Sequence, residues 1–253
     1  MSGSKSRASF LAALLILVLP IAIFAQESRA VATALPKGWC AQPARHHEVR
    51  AILADMAARS PRVRLEHIGW SWEGRGLTVA IVAGESAMAR LDELLSQSVS
   101  LRDGVLSEGM PVTIWIGAAI HGDEPSGTEA AMRLLDRLAF GDDARTKELL
   151  KNAIVIVEPI QNPDGRDRFI QWSHGVVGNR APSFDPRAME HAQPWPGGRT
   201  NHYLFELNRD WIICSQVETT ARFAAIRKWR PQVILDLHEM GPDASYFFPP
   251  PAL

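Results

Sequence analysis

Three short, almost uninterrupted apolar stretches constrain what this chain can become: residues 112–120, 154–157 and 233–237. A strand with one wet face would alternate apolar and polar residues, so runs of this kind belong to strands covered on both faces. Segments with helical spacing lie between them. Ser126-Gly127-Thr128-Glu129 has the capping-box spacing ahead of Ala130, Ala131, Leu134, Leu135 and Leu138. Ser215-Gln216-Val217-Glu218 repeats that spacing ahead of a helix expected to run to Trp229 and to be stopped by Pro231. Buried strands interleaved with amphipathic helices predict an α/β domain, a three-layer α/β/α arrangement around a mixed, largely parallel sheet. Upstream, Val49, Ile52, Leu53 and Met56 fall on one face of a helix over 46–59. The β-rich stretches 63–70 and 77–82 flank a turn and predict a hairpin. Residues 160–204 hold Pro163, Pro182, Pro186, Pro194 and Pro196 with weak periodicity. A loop-rich segment is expected there, and loops of that length in a compact domain are usually functional or disordered.

Charge and composition narrow the function classes. With 27 basic against 28 acidic residues the chain lacks the Lys/Arg excess needed to neutralise many phosphates, so nucleic acid is not an expected partner. At the N-terminus Lys5 and Arg7 precede an apolar run from Phe10 to Ala25, broken by Pro20 and followed by Gln26, Glu27 and Ser28. That is the pattern of a secretory signal over residues 1–25, and the run is short for a bilayer span of about 20 residues. An uncleaved membrane anchor is the alternative. After cleavage the protein is expected to be exported, periplasmic or extracellular, without stable membrane insertion, with a lead-in over 26–43 and a domain over 44–253. Cys40 and Cys214 could pair in such a compartment, and neither has a C-x-x-C neighbour that would suggest a cysteine metal site.

The chemistry gathers at the ends of the apolar strands. His121-Gly122-Asp123-Glu124 follows the first strand just before a helix, and ligands of open α/β sheets bind outside the carboxyl ends of strands. Imidazole nitrogen and carboxylate oxygen are ordinary zinc ligands, and H-x-x-E in a tight turn lets them converge on one ion. His238 closes the strand that ends at Leu237. If the two strands are neighbours, His121, Glu124 and His238 form a His₂Glu set that leaves a fourth position for water, as catalytic zinc requires. A single histidine at a strand end is more often a structural residue than a ligand; two of them with an acidic partner favour a metal. H-E-x-x-H, G-x-S-x-G and P-loop patterns are absent from the sequence.

Four motifs in order resemble the zinc carboxypeptidase family (peptidase family M14): Gly69-x-Ser71-x-Glu73-Gly74-Arg75, His121-Gly122-Asp123-Glu124, Asn162-Pro163-Asp164-Gly165 and Asn208-Arg209, with His238 where a third zinc ligand is expected. The resemblance implies one Zn²⁺ held by His121, Glu124 and His238, and Asn208 and Arg209 gripping the terminal carboxylate of a peptide or protein substrate. A guanidinium fork suits that task. Glu206 stands where the family carries an acidic partner for the first zinc histidine, more usually Asp. For the arginine that polarises the scissile carbonyl the candidate is Arg180, with Arg166, Arg168 and Arg199 as rivals. The family's general base is a glutamate several tens of residues beyond the last zinc ligand, whereas this sequence ends at Leu253. The resemblance thus implies a metallocarboxypeptidase domain incomplete at its C-terminus, able to bind metal with little or no turnover by itself. A related deacylase acting on N-acyl amino acids, and a non-catalytic zinc- or peptide-binding module, are the alternatives.

Overall fold

In the computed structural model, which describes residues 42–99, 109–178, 180–181 and 183–240, five strands form one sheet. They are β1 (Val63–Trp70), β2 (Gly76–Val82), β3 (Val112–Ala118), β4 (Ala153–Glu158) and β5 (Val233–Leu237), in the spatial order β1-β2-β4-β3-β5. The expected hairpin pairs β1 with β2, and β2 meets β4 antiparallel. β3 lies parallel to both β4 and β5. The sheet is therefore mixed, with its parallel part confined to the three apolar strands.

Alternation along each strand sorts the core into two layers. Ala80, Val82, Ile114, Ile116, Val155 and Val157 pack on one face against helices α1 (His46–Arg59), α4 (Ser126–Phe140) and α5 (Ala144–Asn152). Val79, Ile81, Trp115, Ile154 and Ile156 point the other way, toward α3 (Leu91–Val99) and α7 (Val217–Trp229). A short helix α2 (Glu85–Ala89) leads into α3. Covering both faces is what removes the polar alternation from β3 and β4. Among the described residues no helix is long and apolar enough to cross a membrane. The leader over 1–25, most of the 26–43 lead-in and Cys40 lie outside the described residues, and Cys214 is a free thiol.

Two local expectations fail for physical reasons. The segment after residue 160 opens with a helix of 15 residues, α6 (Pro163–Val177), where a loop was expected. Asn162 caps it, its side-chain oxygen accepting from Gly165 N–H at 3.0 Å, and Pro163 occupies the first turn, where its missing N–H costs nothing. Its buried side carries Asp164 and Arg166 beside Ile170 and Val177, so the usual apolar stripe is missing. Second, neither capping box forms. Pro125 precedes α4 and Gln216 precedes α7 without a side-chain cap. Glu129 instead accepts from Ala44 N–H at 2.8 Å and pairs with Arg166 at 3.0 Å.

Candidate metal centre

Two strands that end side by side assemble the site. In the β3–β5 ladder Ala118 stands opposite Leu237, so the segments leaving both carboxyl ends emerge together. His238 follows β5 at once. His121 lies three residues past β3 in a turn closed by Glu124 N–H donating to His121 O at 3.2 Å, just ahead of α4. Gly122 lets this turn sit against the start of α6. A Cβ at that position would lie 2.1 Å from Arg166 N and 2.2 Å from Gly165 C. No side chain fits there.

The three candidate ligands face one another. Glu124 Oε1 is 2.7 Å from His121 Nδ1, and Oε2 is 3.1 Å from His238 Nδ1. One donor atom from each residue lies within 4.8 Å of the others. Two ligands at about 2.1 Å from one zinc ion stand at most about 4.2 Å apart, so small side-chain turns close the set. Two imidazole nitrogens and a carboxylate are a donor set that fits zinc. The opposite ring nitrogens are backed by carboxylates: His121 Nε2 lies 2.9 Å from Glu206, and His238 Nε2 lies 3.0 Å from Asp236. Hydrogen bonds to Asp236 and Glu124 push the His238 imidazole up to about 10. Burial works to raise Glu124, but the bonds from His121 and His238 prevail and hold its carboxyl down at about 2. The cluster is thus rich in negative charge and in aimed nitrogen donors.

The other candidates divide sharply. Glu206 accepts Asn208 N–H at 3.0 Å as well as facing His121. Asn208 Nδ2 comes within 3.4 Å of His238 Nε2, while its Oδ1 accepts from Trp211 Nε1 at 3.0 Å. Arg209 is exposed, with one guanidinium nitrogen on Asn208 O. Of the four arginines, Arg199 is the one beside the donors, bonded to Glu206 at 2.6 Å and 4.0 Å from Glu124. Arg180 is exposed past the end of α6, its N–H on Val177 O. A 15-residue helix climbs about 22 Å, and α6 begins at the site, so its far end carries Arg180 away. Arg166 is buried on Ala44 O, Pro125 O and Glu129, and Arg168 ties Gly197, Thr200 and Asn201 carbonyls into the loop that delivers Arg199. Sequence reasoning passed over Asp236. Its signal was the two-residue step to His238 on a strand, which puts both side chains on one face.

A family model described as zinc carboxypeptidase matches residues 49–249. The chain belongs to the zinc carboxypeptidase family. This family is zinc-dependent, in keeping with the His-Glu-His group assembled here. Among curated proteins the chain is 25% identical over 146 residues to Carboxypeptidase 2 of Trichophyton rubrum, a match covering 55% of this chain and 22% of that protein. It is 33% identical over 106 residues to human Carboxypeptidase D, covering 40% of this chain and 8% of the relative. The chain thus spans less than a quarter of the length of the curated relatives it matches. Among solved structures, carboxypeptidase A from Helicoverpa armigera shares the fold with a TM-score of 0.54 at 16% identity, over 93% of this chain and 53% of that one.

Proposed function

We propose that the protein is a zinc-dependent metallocarboxypeptidase that hydrolyses the C-terminal peptide bond of peptide or protein substrates, with His121, Glu124 and His238 holding one zinc ion. The observation that carries this is the convergence of two imidazole Nδ1 atoms on the Glu124 carboxylate at 2.7 and 3.1 Å, at the carboxyl ends of adjacent parallel strands. When bound, zinc supplies Lewis acidity toward a carbonyl and a water molecule. The chain's own groups do the rest. Glu206 accepts from His121 Nε2 and so keeps that ring's Nδ1 turned toward Glu124. Arg199, beside Glu124 and Glu206, is placed to donate to a carbonyl oxygen as it gains negative charge. Asn208 and the exposed Arg209 present an amide and a guanidinium to a terminal carboxylate.

The acidic side chains around the ligands are engaged: Glu206 with His121 and Arg199, Asp236 with His238 and Gln161, Glu239 with Ser126 N–H. We therefore place the general base outside the described residues. Lys5, Arg7 and the apolar run behind them support export of the mature protein, and N-terminal sequencing of secreted material should begin near Gln26.

The test is metal content and hydrolysis on the same material. Folded protein should carry close to one zinc per chain, lost in His121→Ala and His238→Ala. Chelator-sensitive release of a C-terminal residue from a peptide should exceed hydrolysis of an N-acyl amino acid. Absence of bound zinc refutes the metal assignment, and preference for the N-acyl amino acid makes the protein a deacylase.

A further inference from the structure

One row across the sheet reaches the metal centre from behind. Glu158 on β4, Gly117 on β3 and Asp236 on β5 are partners in register. Because Gly117 has no side chain, the row holds a slot, and the carboxamide of Gln161 fills it: a Cβ on Gly117 would lie 2.4 Å from Gln161 Nε2. Through the slot Gln161 Nε2 donates to Asp236 Oδ1 at 2.7 Å, and Asp236 Oδ2 lies 3.0 Å from His238 Nε2. Gln161 is itself pinned. Its N–H donates to Ala118 O at 2.9 Å, and its carbonyl accepts Arg222 Nη2 at 3.0 Å. Arg222, fully buried, in turn pairs with Glu158 at 2.8 Å. The amide commits its donor to Asp236 although its own buried Oε1 is left without a hydrogen-bond partner.

We propose that Asp236 is a positioning residue for His238, held by Gln161 through the slot at Gly117, so that both candidate zinc histidines are braced by a carboxylate on the nitrogen opposite the metal. The inference rests on His238 being a zinc ligand. A proton kept on Nε2 by Asp236 leaves Nδ1, on the Glu124 side, as the nitrogen that would give its lone pair to a metal, which is the tautomer a metal needs. Asn208 Nδ2 also approaches Nε2 and would favour the opposite tautomer, but at 3.4 Å the neutral amide is the weaker partner. Glu206 and Asp236 then play the same part on opposite sides of Glu124.

The experiment measures zinc affinity of the full chain by competition with a chelating dye, and the visible spectrum of the cobalt-substituted protein. Asp236→Ala should bind zinc about 10–100-fold more weakly, the range found when such partners are removed. Asp236→Asn keeps an oxygen that can accept from Nε2–H and should recover most of that loss. Gln161→Leu leaves every ligand and Asp236 in place and should weaken binding by a smaller factor. The cobalt spectrum should change in Asp236→Ala and return toward wild type in Asp236→Asn, which a general loss of stability would not produce. Wild-type affinity and spectrum in Asp236→Ala overturn this inference alone. A wild-type chain that binds no zinc overturns the metal assignment, and the inference with it.

Discussion

Removing the Glu129 carboxylate should leave a fully buried guanidinium without its hydrogen-bonded counter-ion, with Asp167 and Glu239 acting only through space, and the size of the effect can be worked from the contacts. Glu129 Oε1 accepts from Arg166 at 3.0 Å and from Ala44 N–H at 2.8 Å, and Arg166 also donates to Ala44 O and Pro125 O. Burial pulls Arg166 down to about 10, still charged at neutral pH, and pushes Glu129 up. Breaking such a pair from one side costs roughly 3–5 kcal/mol, a large part of a total stability of about 5–15 kcal/mol. Glu129→Ala should therefore lower the melting temperature by about 6–20 °C, at about 2–4 °C per kcal/mol for a chain of this size. Arg166→Met should cost less, because the remaining carboxyl can take up a proton, and less still at acid pH. In Glu129→Leu/Arg166→Met no charge is left behind, but Ala44 loses partners for its N–H and carbonyl at about 1 kcal/mol or more each. The double variant should fall well short of the sum of the singles. Urea unfolding in the presence of a chelator measures this without a metal contribution. A cost under about 1 kcal/mol for Glu129→Ala, or strict additivity, would refute the reasoning, since both require that the pair is not truly desolvated. The clamp also bears on the site, because Pro125 adjoins Glu124.

Two further outcomes are expected. Arg199→Ala should depress kcat for peptide hydrolysis by about 10²–10³-fold, the range for losing one donor to a developing oxyanion, while Arg180→Ala stays near wild type; equal effects would detach Arg199 from the chemistry. Glu218, buried at the first turn of α7, has its carboxyl raised by burial, with Asp164 adding to the effect. A carboxyl held above its unfolded value stabilises the fold most when protonated, and that contribution disappears as pH rises through the folded value. The melting-temperature advantage of Glu218→Gln should therefore grow from acid toward neutral pH, and a gap independent of pH would contradict the assignment.

Much of the site could be read directly from one dimension. The apolar runs at 112–120 and 154–157 required strands covered on both faces, as β3 and β4 are; 233–237 also forms a strand, but β5 lies at the sheet edge only half-buried, with Ile234 46% exposed, and the first and third runs are each followed by a histidine. Hydrophobic burial demands little beyond composition and spacing, which is why those strands and the helix over 46–59 lie where the pattern put them. The H-x-x-E spacing likewise needs only a tight turn to bring His121 to Glu124, and that contact is local.

Other features depended on partners remote in sequence. α6 hides its helical character because its buried face is polar, and Asp164 and Arg166 are tolerated there through remote partners that include Ser71, Arg75, Ala44 and Glu129. Glu129 fits a capping box by spacing, yet a buried cation 37 positions away claims its carboxylate. Arg199 reaches the donors, and Arg180 does not, because helix α6 carries the chain away from the site before Arg180 and the chain has returned by Arg199. The pairing of β3 with β5, which brings His238 to His121, joins segments more than a hundred residues apart. Local pattern can state that each strand must be buried, but which strand lies beside it is decided by how helices and sheet pack together, and on that choice the convergence of the ligands depends.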